Sequence, residues 1–293
     1  MEKLPTLYLG INRTVIQCLG DDIIIRYFYP SPDLCCIVKY YWMVQVKDMN
    51  KFNKLSIISP SGYPELIFHF GDNICVSTSG GGSSKTSVNS FIAGQITHPV
   101  HLHFKNYINC LCIKLQPYAL KALFKIKCSE FTNRATSLNE IHPNMQKDIY
   151  EQLSEANNNN VRIRIIEDYL RKLLKKHYNS TNLVIWEVVN YQKVNINNND
   201  LEQLIHMSTR KIQRRFLEDV GLSPKQLRRI FRFNQAYHLL KHNTNLDLQD
   251  VSFQLGYYDL SHMINEFKEF TGSAPVRYFK SEDPFNSLFA GIL

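Results

Sequence analysis

The feature that most constrains how this chain can fold is a repeat in its last third. Residues 208–224 (STRKIQRRFLEDVGLSP) align without gaps with residues 259–275 (DLSHMINEFKEFTGSAP), at an offset of 51 residues (259 − 208). The matched positions are, in pairs, Phe216 and Phe267, Gly221 and Gly272, and Pro224 and Pro275. We therefore expect two copies of one structural unit in this part of the chain.

Each copy has the pattern of a capped amphipathic helix. Ile212 and Met263 each lie four residues before the shared phenylalanine, so each copy presents an apolar pair on one helix face. Ser208 and Asp259 stand where a side-chain oxygen can accept hydrogen bonds from the backbone N–H groups of the first turn. The shared glycine suits the left-handed position that ends many helices. Both copies are therefore predicted to be helices that begin and end at equivalent residues.

A short apolar-periodic segment precedes each copy, at residues 200–205 and at 248–255, and the latter is followed by Gly256. A helix, a tight turn and a capped second helix form a helix-turn-helix unit, so the sequence predicts two such units. Ser223 can cap a helix that opens with a proline, and one long helix over 224–241 is expected to join the units. Its predicted buried stripe consists of Leu227, Ile230, Phe231 and Leu239.

The outward face of the first copy is basic. The second helix of such a unit lies in the DNA major groove, so its solvent face should carry groups that reach base edges. That face has Arg210, Lys211, Gln213 and Arg214, and residues 210–232 hold eight Lys and Arg against two acidic residues. The matching face of the second copy is nearly neutral and carries Ser261, His262, Asn265 and Glu266. A basic face can also be merely solvated, but within a duplicated helix-turn-helix we favour DNA binding.

A more specific motif runs through the second unit, at residues 256–263 (GYYDLSHM) and then at Phe267, Lys268, Gly272 and Pro275. On these residues the stretch 208–279 resembles the DNA-binding domain of AraC-type transcriptional regulators, and the resemblance extends from about 182 to 281. It implies double-stranded promoter or operator DNA as a partner. The departures from the family pattern are Asn265 in place of Arg, Glu202 and Ser252 in place of Ala, and Leu260 in place of Gln.

Three groups of site residues follow by position. The residues that the resemblance implies as base contacts are Arg210, Gln213, Arg214, Ser261, His262 and Asn265. The expected phosphate contacts are Thr209, Lys211, Lys225, Arg228 and Lys268. The expected turn and cap residues are Ser208, Gly221, Pro224, Gly256, Asp259, Gly272 and Pro275. No catalytic residue, metal ligand or cofactor is predicted.

The periodicity of apolar residues changes from strand-like to helical near residue 140. Short aromatic and β-branched runs predict strands at 23–29, 36–46, 64–70 and 108–115. Helical spacing predicts helices at 145–156 and 161–176, with Asn157–Asn160 between them. The expected fold class is α+β, divided into a β-rich domain (1–144), a helical connector (145–181), an all-α domain (182–281) and a tail (282–293).

The N-terminal region has a weaker resemblance of its own. Residues 60–72 (PSGYPELIFHFGD) and 93–95 (AGQ) resemble a poorly characterised domain that precedes this DNA-binding domain in some family members. In the family generally, a β-rich and often cupin-like N-terminal domain senses an effector or mediates dimerisation. By analogy, a small-molecule effector and a second copy of the chain are further candidate partners, and RNA polymerase is another.

Composition sets broader limits. Because 44% of the 293 residues are hydrophobic and only 20% are charged, the chain cannot be mainly disordered. The net charge is +8, yet residues 181–293 hold 13 basic and 12 acidic residues, so net charge does not mark the DNA-binding part.

No apolar run is long enough for a membrane helix, and the opening residues lack a signal-peptide pattern. All seven cysteines lie in the first 128 residues without paired spacing, which favours free thiols and a soluble, cytoplasmic protein.

Histidines and cysteines in the N-terminal region suggest a competing function. A cupin-like metal site could draw on Glu65, His69, His98, His101 and His103, although no third ligand at fixed spacing accompanies them. Cys110 and Cys112 share one face of an apolar strand, where buried small hydrophobes are favoured over a thiol sensor or a zinc pair. The alternative to a regulator is therefore a DNA-directed enzyme, or a thiol or metal sensor, with a Cys/His-lined N-terminal site.

One further stretch imitates a phosphate-binding loop. Residues 79–86 (SGGGSSKT) place Ser84 before Lys85, where the phosphate-loop motif requires glycine. The next apolar run is strand-like rather than helical, so we interpret the stretch as a flexible hairpin connection. The leading hypothesis is a one-component transcriptional regulator, and not an enzyme.

Overall fold

The computed structural model describes residues 14–19, 23–47, 55–71, 75–78, 83–84, 89–103, 107–177, 185, 189, 207–242 and 247–280. Antiparallel strands form two sheets in the N-terminal half. The strands are β1 (Thr14–Leu19), β2 (Ile23–Phe28), β3 (Val38–Val46), β4 (Leu55–Ile58), β5 (Glu65–His69), β6 (Cys75–Thr78), β7 (Ser83–Ser84), β8 (Ser90–Ala93), β9 (Val100–His103), β10 (Ile108–Leu115) and β11 (Ala135–Ser137). One sheet has the order β1-β2-β3-β10-β5-β8-β11 and the other has the order β4-β9-β6-β7. The four predicted strands are confirmed as β2, β3, β5 and β10.

The central strands of the larger sheet are buried on both faces. Because alternate residues of a strand point to opposite faces, Tyr41 and Met43 of β3 join a core with the helices. Tyr40 and Trp42 of β3 join a second core, to which Val100 of the smaller sheet contributes. Burial on both sides explains why β3 is nearly continuously apolar, whereas an antiparallel strand with one solvated face would alternate.

Four helices of the N-terminal half are α1 (Ala119–Phe124), α2 (Leu138–Ile141), α3 (Pro143–Glu155) and α4 (Asn159–His177). The last two confirm the predicted connector helices, but α4 begins earlier than expected. Asn158 Oδ1 accepts a hydrogen bond from the Val161 backbone N–H at 3.0 Å, so this residue caps α4. The asparagine run therefore does not separate the helices along its whole length, because its second half lies within α4.

The described part of the C-terminal half is helical. Its helices are α5 (Thr209–Val220), α6 (Pro224–His242), α7 (Leu248–Gln254), α8 (Leu260–Thr271) and α9 (Pro275–Lys280). The two copies of the repeat form α5 and α8, and α6 joins them as predicted, although Leu239 of its stripe is only partly buried. The helix predicted at 200–205 lies outside the described residues. A β-rich N-terminal half and a helical C-terminal half confirm the α+β class, while cupin-like topology and the domain boundaries stay predictions.

The two halves of the chain are in contact at the end of α5. Thr132 Oγ1 donates a hydrogen bond to the Gly221 carbonyl oxygen at 2.6 Å. Lys121 Nζ of α1 lies 4.0 Å from Asp219 Oδ1 of α5. Burial raises the pKa of Asp219, and Lys121 opposes that rise. The first helix-turn-helix unit is thus attached to the N-terminal half at the position of its glycine cap.

A second contact joins the loop before β5 to α6. Asn234 Nδ2 donates a hydrogen bond to the Ser61 carbonyl oxygen at 3.2 Å. Gly62 has φ +80° and lies so close to Phe231 that a Cβ atom there would be 2.7 Å from Cε1 of the ring. Only glycine meets both conditions, because it tolerates this backbone conformation and has no Cβ.

Candidate nucleic-acid interface

The first recognition helix, α5, has one buried and one exposed face. Ile212 and Phe216 are buried in the core of the C-terminal half. Arg210, Gln213 and Arg214 are all exposed. Residues three and four apart are neighbours on a helix surface, so these three predicted base-contacting side chains lie together on one face.

Both recognition helices, α5 and α8, begin at the predicted residue, but they are capped differently. Asp259 Oδ1 accepts a hydrogen bond from the His262 backbone N–H at 2.6 Å, which confirms its capping role. Ser208 has an extended backbone and its side chain makes no capping hydrogen bond, so the prediction that its hydroxyl caps α5 is wrong. Its backbone carbonyl accepts hydrogen bonds from the N–H groups of Lys211 and Ile212 at 2.9 and 3.0 Å. The exposed hydroxyl loses little by turning to solvent instead.

Three glycines of the predicted turns have left-handed backbones. Gly221 (φ +87°) and Gly272 (φ +81°) end α5 and α8, and Gly256 (φ +68°) lies in the turn between α7 and α8. At the start of α6, Ser223 Oγ accepts from the Gln226 N–H at 3.2 Å, and Gln226 Oε1 accepts from the Ser223 N–H at 2.9 Å. This reciprocal capping box fixes where α6 begins. Pro224 occupies the first position of α6, as predicted, and Pro275 occupies the first position of α9.

The predicted phosphate-contacting residues lie at or near the surface, at the start of α5, in the first two turns of α6 and, for Lys268, in the last turn of α8. Lys211, Lys225 and Lys268 are exposed, whereas Thr209 and Arg228 are half-buried. Arg228 is one turn beyond Lys225 on α6 and therefore shares its face. The structure thus places basic side chains of α5 and α6 near the ends of these helices at the surface.

The second recognition helix exposes its three predicted base-contacting residues, Ser261, His262 and Asn265. Met263 and Phe267 are buried beneath them, as the repeat predicts. Both recognition helices therefore have exposed polar side chains on one face and buried apolar side chains on the opposite face.

Glu266 departs from the sequence interpretation, which placed it on the exposed face of α8. It is buried, and its Oε2 atom lies 2.8 Å from Arg229 Nε and 3.0 Å from Arg232 Nη2, both of α6. Arg232 also lies over the Tyr257 ring, with its guanidinium carbon 4.0 Å from the centroid. The helical period is consistent with this burial, since residue 266 is three beyond Met263 and so lies beside the buried stripe.

The net positive charge that residues 210–232 present at the surface is smaller than their composition suggests, because some of the basic side chains pair with carboxylates. Arg229 and Arg232 pair with Glu266, and Arg229 Nη2 also pairs with Glu269 at 2.5 Å. Arg215 Nε pairs with the buried Asp219 at 3.4 Å. The exposed basic residues of this stretch are Arg210, Lys211, Arg214 and Lys225.

Residues 201–281 match the family model described as a helix-turn-helix domain. The C-terminal region is an AraC-type helix-turn-helix domain. Residues 26–137 match a second family model, described as a domain of unknown function (DUF6597). With an AraC-type domain at its C-terminus, the chain is a DNA-binding transcriptional regulator.

Solved structures similar to parts of this chain include ToxT from Vibrio cholerae in the P21 crystal form. It is 14% identical, with a TM-score of 0.47, over 81% of this chain and 96% of that one. ToxT from the same organism with a bound unsaturated fatty acid is 13% identical, with a TM-score of 0.42, over 89% and 96% of the two chains. The xylose-binding transcription activator xylR is 18% identical, with a TM-score of 0.28, over 40% and 38%. A comparison with curated proteins found no match.

A basic groove lies between α6 and the second unit of the AraC-type domain. It has a volume of about 680 Å³ and is lined by Lys225, Arg228, Arg229, Arg232, Leu255, Gly256 and His262. The groove runs between the first three turns of α6 and the start of α8, which is the second recognition helix. Its cations suit a phosphate backbone that crosses from one helix to the other.

The N-terminal histidine and cysteine candidates are dispersed. His69 is buried on β5, opposite Cys110 of β10 in the strand register, whereas His101 lies on the smaller sheet. Within the described residues, no three His, Cys, Asp or Glu side chains form a group that could hold a metal ion. The His103 side chain lies outside the described part of the structure.

Cys110 and Cys112 are both buried in the core between the sheets. Burial, and then the hydrogen bond to Cys110, raises the pKa of Cys112 well above its ordinary value. Burial acts in the same direction on Cys110, but hydrogen bonds with Cys112 and His69 lower its pKa to about 6. Both thiols are packed in this core, and of the two only Cys110 has a pKa below its ordinary value.

Two remaining expectations concern the phosphate-loop imitation and the membrane. Ser83 and Ser84 pair with β6 as an antiparallel strand, whereas the rest of residues 79–86 lies outside the described residues.

Across the residues that are described, no helix is both long and apolar enough to span a lipid bilayer.

Proposed function

We propose that this chain is a one-component regulator whose two recognition helices enter successive major-groove segments on one face of a DNA duplex. The observation that carries the proposal is the exposed row Arg210, Gln213 and Arg214, held rigidly above the buried Ile212 and Phe216. In such an arrangement the two segments lie about one helical turn, or roughly 34 Å, apart.

The side chains have distinct expected roles. Arg210 and Arg214 are suited to paired hydrogen bonds with guanine, and Gln213 and Asn265 to paired hydrogen bonds with adenine. The phosphate contacts position the protein without reading sequence, and we assign them to Thr209, Lys211, Lys225, Arg228 and Lys268. Ser261 and His262 complete the base-contacting set on the second helix.

The N-terminal half is proposed to control DNA binding through its contacts with the first unit. Thr132 and Asn234 bridge the two halves, so a change in either half has a direct route to α5 and α6. The signal would be a small-molecule effector or a second copy of the chain. We propose a regulator without enzymatic activity that acts in the cytoplasm, with RNA polymerase as a further partner.

The base-reading assignment is tested with Arg214→Ala. A DNA site for the full chain is first recovered by selection from random duplexes, and dissociation constants are then measured for the site and for variants of each base pair. The substitution should cost about 1 to 3 kcal/mol on the selected site and relax the preference at one position.

Lys225→Ala is the matched control, because it removes one exposed cation that is assigned to phosphate. It should weaken binding to all sequences alike and reduce the slope of log affinity against log salt by about 1. If Arg214→Ala binds the selected site with unchanged affinity, the assignment of Arg214 as a base contact is wrong.

A further inference from the structure

Glu266 is the one buried carboxylate that ties the second recognition helix to the helix shared by both units, among the residues that the structure describes. We propose that Glu266 is a positioning residue that sets the geometry between the two recognition helices, and thereby the half-site spacing that the protein accepts. The inference rests on the proposed function, namely that α5 and α8 read one duplex together.

The geometry of the ion pairs carries this proposal. Arg229 and Arg232 are one turn apart on α6, and both converge on the single carboxylate of Glu266, at 2.8 and 3.0 Å. Arg232 makes a second hydrogen bond, from Nη2 to Oε1 at 3.0 Å, so its planar guanidinium is held in a fixed direction. A buried charge cannot move away from such partners without a large penalty.

The surrounding apolar contacts do not fix direction in this way. Phe233 of α6 packs against Phe267 and Phe270 of α8, with ring centroids 5.3 and 5.2 Å apart. Apolar attraction depends on buried area, and edge-to-face ring pairs add only a modest geometric preference, so these contacts constrain the register of the two helices less than a charged, hydrogen-bonded pair does. The carboxylate, in contrast, selects one register of α8 on α6.

Glu266 also controls the charge of the basic groove. Arg229 and Arg232 line the groove, and their pairing with Glu266 offsets charge that would otherwise attract any DNA phosphate. Removing the negative charge should therefore strengthen binding to random DNA while it weakens discrimination between spacings. A variant that was merely unfolded would lose both kinds of binding.

The test uses the full chain, its selected duplex, duplexes with one base pair added or removed between the half-sites, and a random duplex. Wild type should bind the altered spacings about tenfold or more weakly, since a misplaced half-site loses contacts of the order of a mismatched base pair. Glu266→Gln should bind all three spacings within roughly threefold of one another. Its affinity for the random duplex should rise at low salt, with a salt slope steeper by about 1 to 2.

Glu269→Gln is the matched control. Glu269 also pairs with Arg229, but it is on the surface, with 41% of its side chain exposed, and it does not contact Arg232. This variant should keep the spacing preference of wild type. Arg232→Lys is a second variant that keeps every charge but loses the planar fork, and it should show an intermediate spacing preference.

The outcomes separate the two proposals. If Glu266→Gln folds and keeps the wild-type spacing preference, the proposed role of Glu266 is wrong. If Glu266→Gln does not fold, the Arg232→Lys variant decides, and a wild-type spacing preference in that variant overturns the proposed role. A wild-type chain that selects no DNA sequence overturns the proposed function itself.

Discussion

Arg215 and Glu266 occupy equivalent positions in the two recognition helices, yet they carry opposite charges. Arg215 pairs within its own helix with Asp219, whereas Glu266 pairs with α6. One framework position thus stabilises a single helix in the first unit and a contact between helices in the second.

The caps of the two recognition helices give a prediction at the same scale. Asp259→Ala should lower the free energy of unfolding by about 1 kcal/mol, because it removes the hydrogen bond to the His262 N–H at the helix start. Ser208→Ala at the equivalent position should have a smaller effect, since its hydroxyl makes no capping bond. Urea unfolding of the two variants measures the difference, and equal losses would show that Ser208 caps α5 in solution.

Among the elements, β10 shows how burial on both faces controls cysteine chemistry. Its side chains alternate between the two cores, and Cys110 and Cys112 both point into the core between the sheets. Cys128 is buried near the contact with α5, and burial raises its pKa to about 12. Reactivity towards alkylating reagents requires both a thiolate and access, so none of these thiols should react in the folded chain.

Alkylation of the native protein therefore should label Cys35 and Cys36, which are exposed, well before Cys110, Cys112 and Cys128. The buried thiols should react only when denaturant is added. Peptide mapping by mass spectrometry after timed labelling with iodoacetamide distinguishes the sites. Fast labelling of Cys110 in the folded chain would instead support the thiol-sensor alternative, because its lowered pKa would then coincide with access.

At the scale of the whole molecule, the N-terminal half holds the first unit and leaves its DNA-facing row exposed. The contacts lie at the C-terminal end of α5 and on α6, through Thr132, Gly62 and Asn234. Among its neighbours, α8 packs against α6, α7 and α9. A signal from the N-terminal half would therefore reach the second recognition helix by way of α6 and its ion pairs with Glu266.

The equivalent glycines of the repeat test this arrangement. Gly272→Ala should cost about 1 to 2 kcal/mol, because alanine disfavours the left-handed backbone and a Cβ atom there meets only open space. Gly221→Ala should cost roughly 1 to 3 kcal/mol more, because a Cβ atom would lie 2.8 Å from Thr132 Oγ1 and 2.9 Å from the Cys128 carbonyl oxygen.

Hydrogen exchange provides a readout specific to the contact. Amides of residues 128–132 should exchange faster in Gly221→Ala than in wild type, and should be unchanged in Gly272→Ala. Similar exchange in the two variants would argue against a tight contact between the halves at Gly221.

The repeat was readable from the sequence because its features are local. The alternation of Ile212 and Phe216 with exposed residues, the glycine that ends each helix and the proline that opens the next all act within a few residues of one another. The same holds for β3 and β10, whose apolar runs predict strands wherever the partner strands lie. The prediction that failed, a hydroxyl cap from Ser208, also rested on local information. Serine is a common capping residue, but its presence does not decide whether the hydroxyl turns to the backbone or to solvent.

The sequence by itself therefore determined the two repeated recognition helices of an AraC-type domain, their joining helix, a β-rich N-terminal half and the polar side chains exposed on the two recognition helices. Only the tertiary structure decided that Glu266 is buried between Arg229 and Arg232, that Gly221 and Gly62 are covered by the other half of the chain, and that Cys110 faces His69. The physical reason is that helix period, caps and strand alternation depend on near neighbours. The partner of a charge or of a close-packed glycine comes instead from a distant part of the chain, and only packing reveals it.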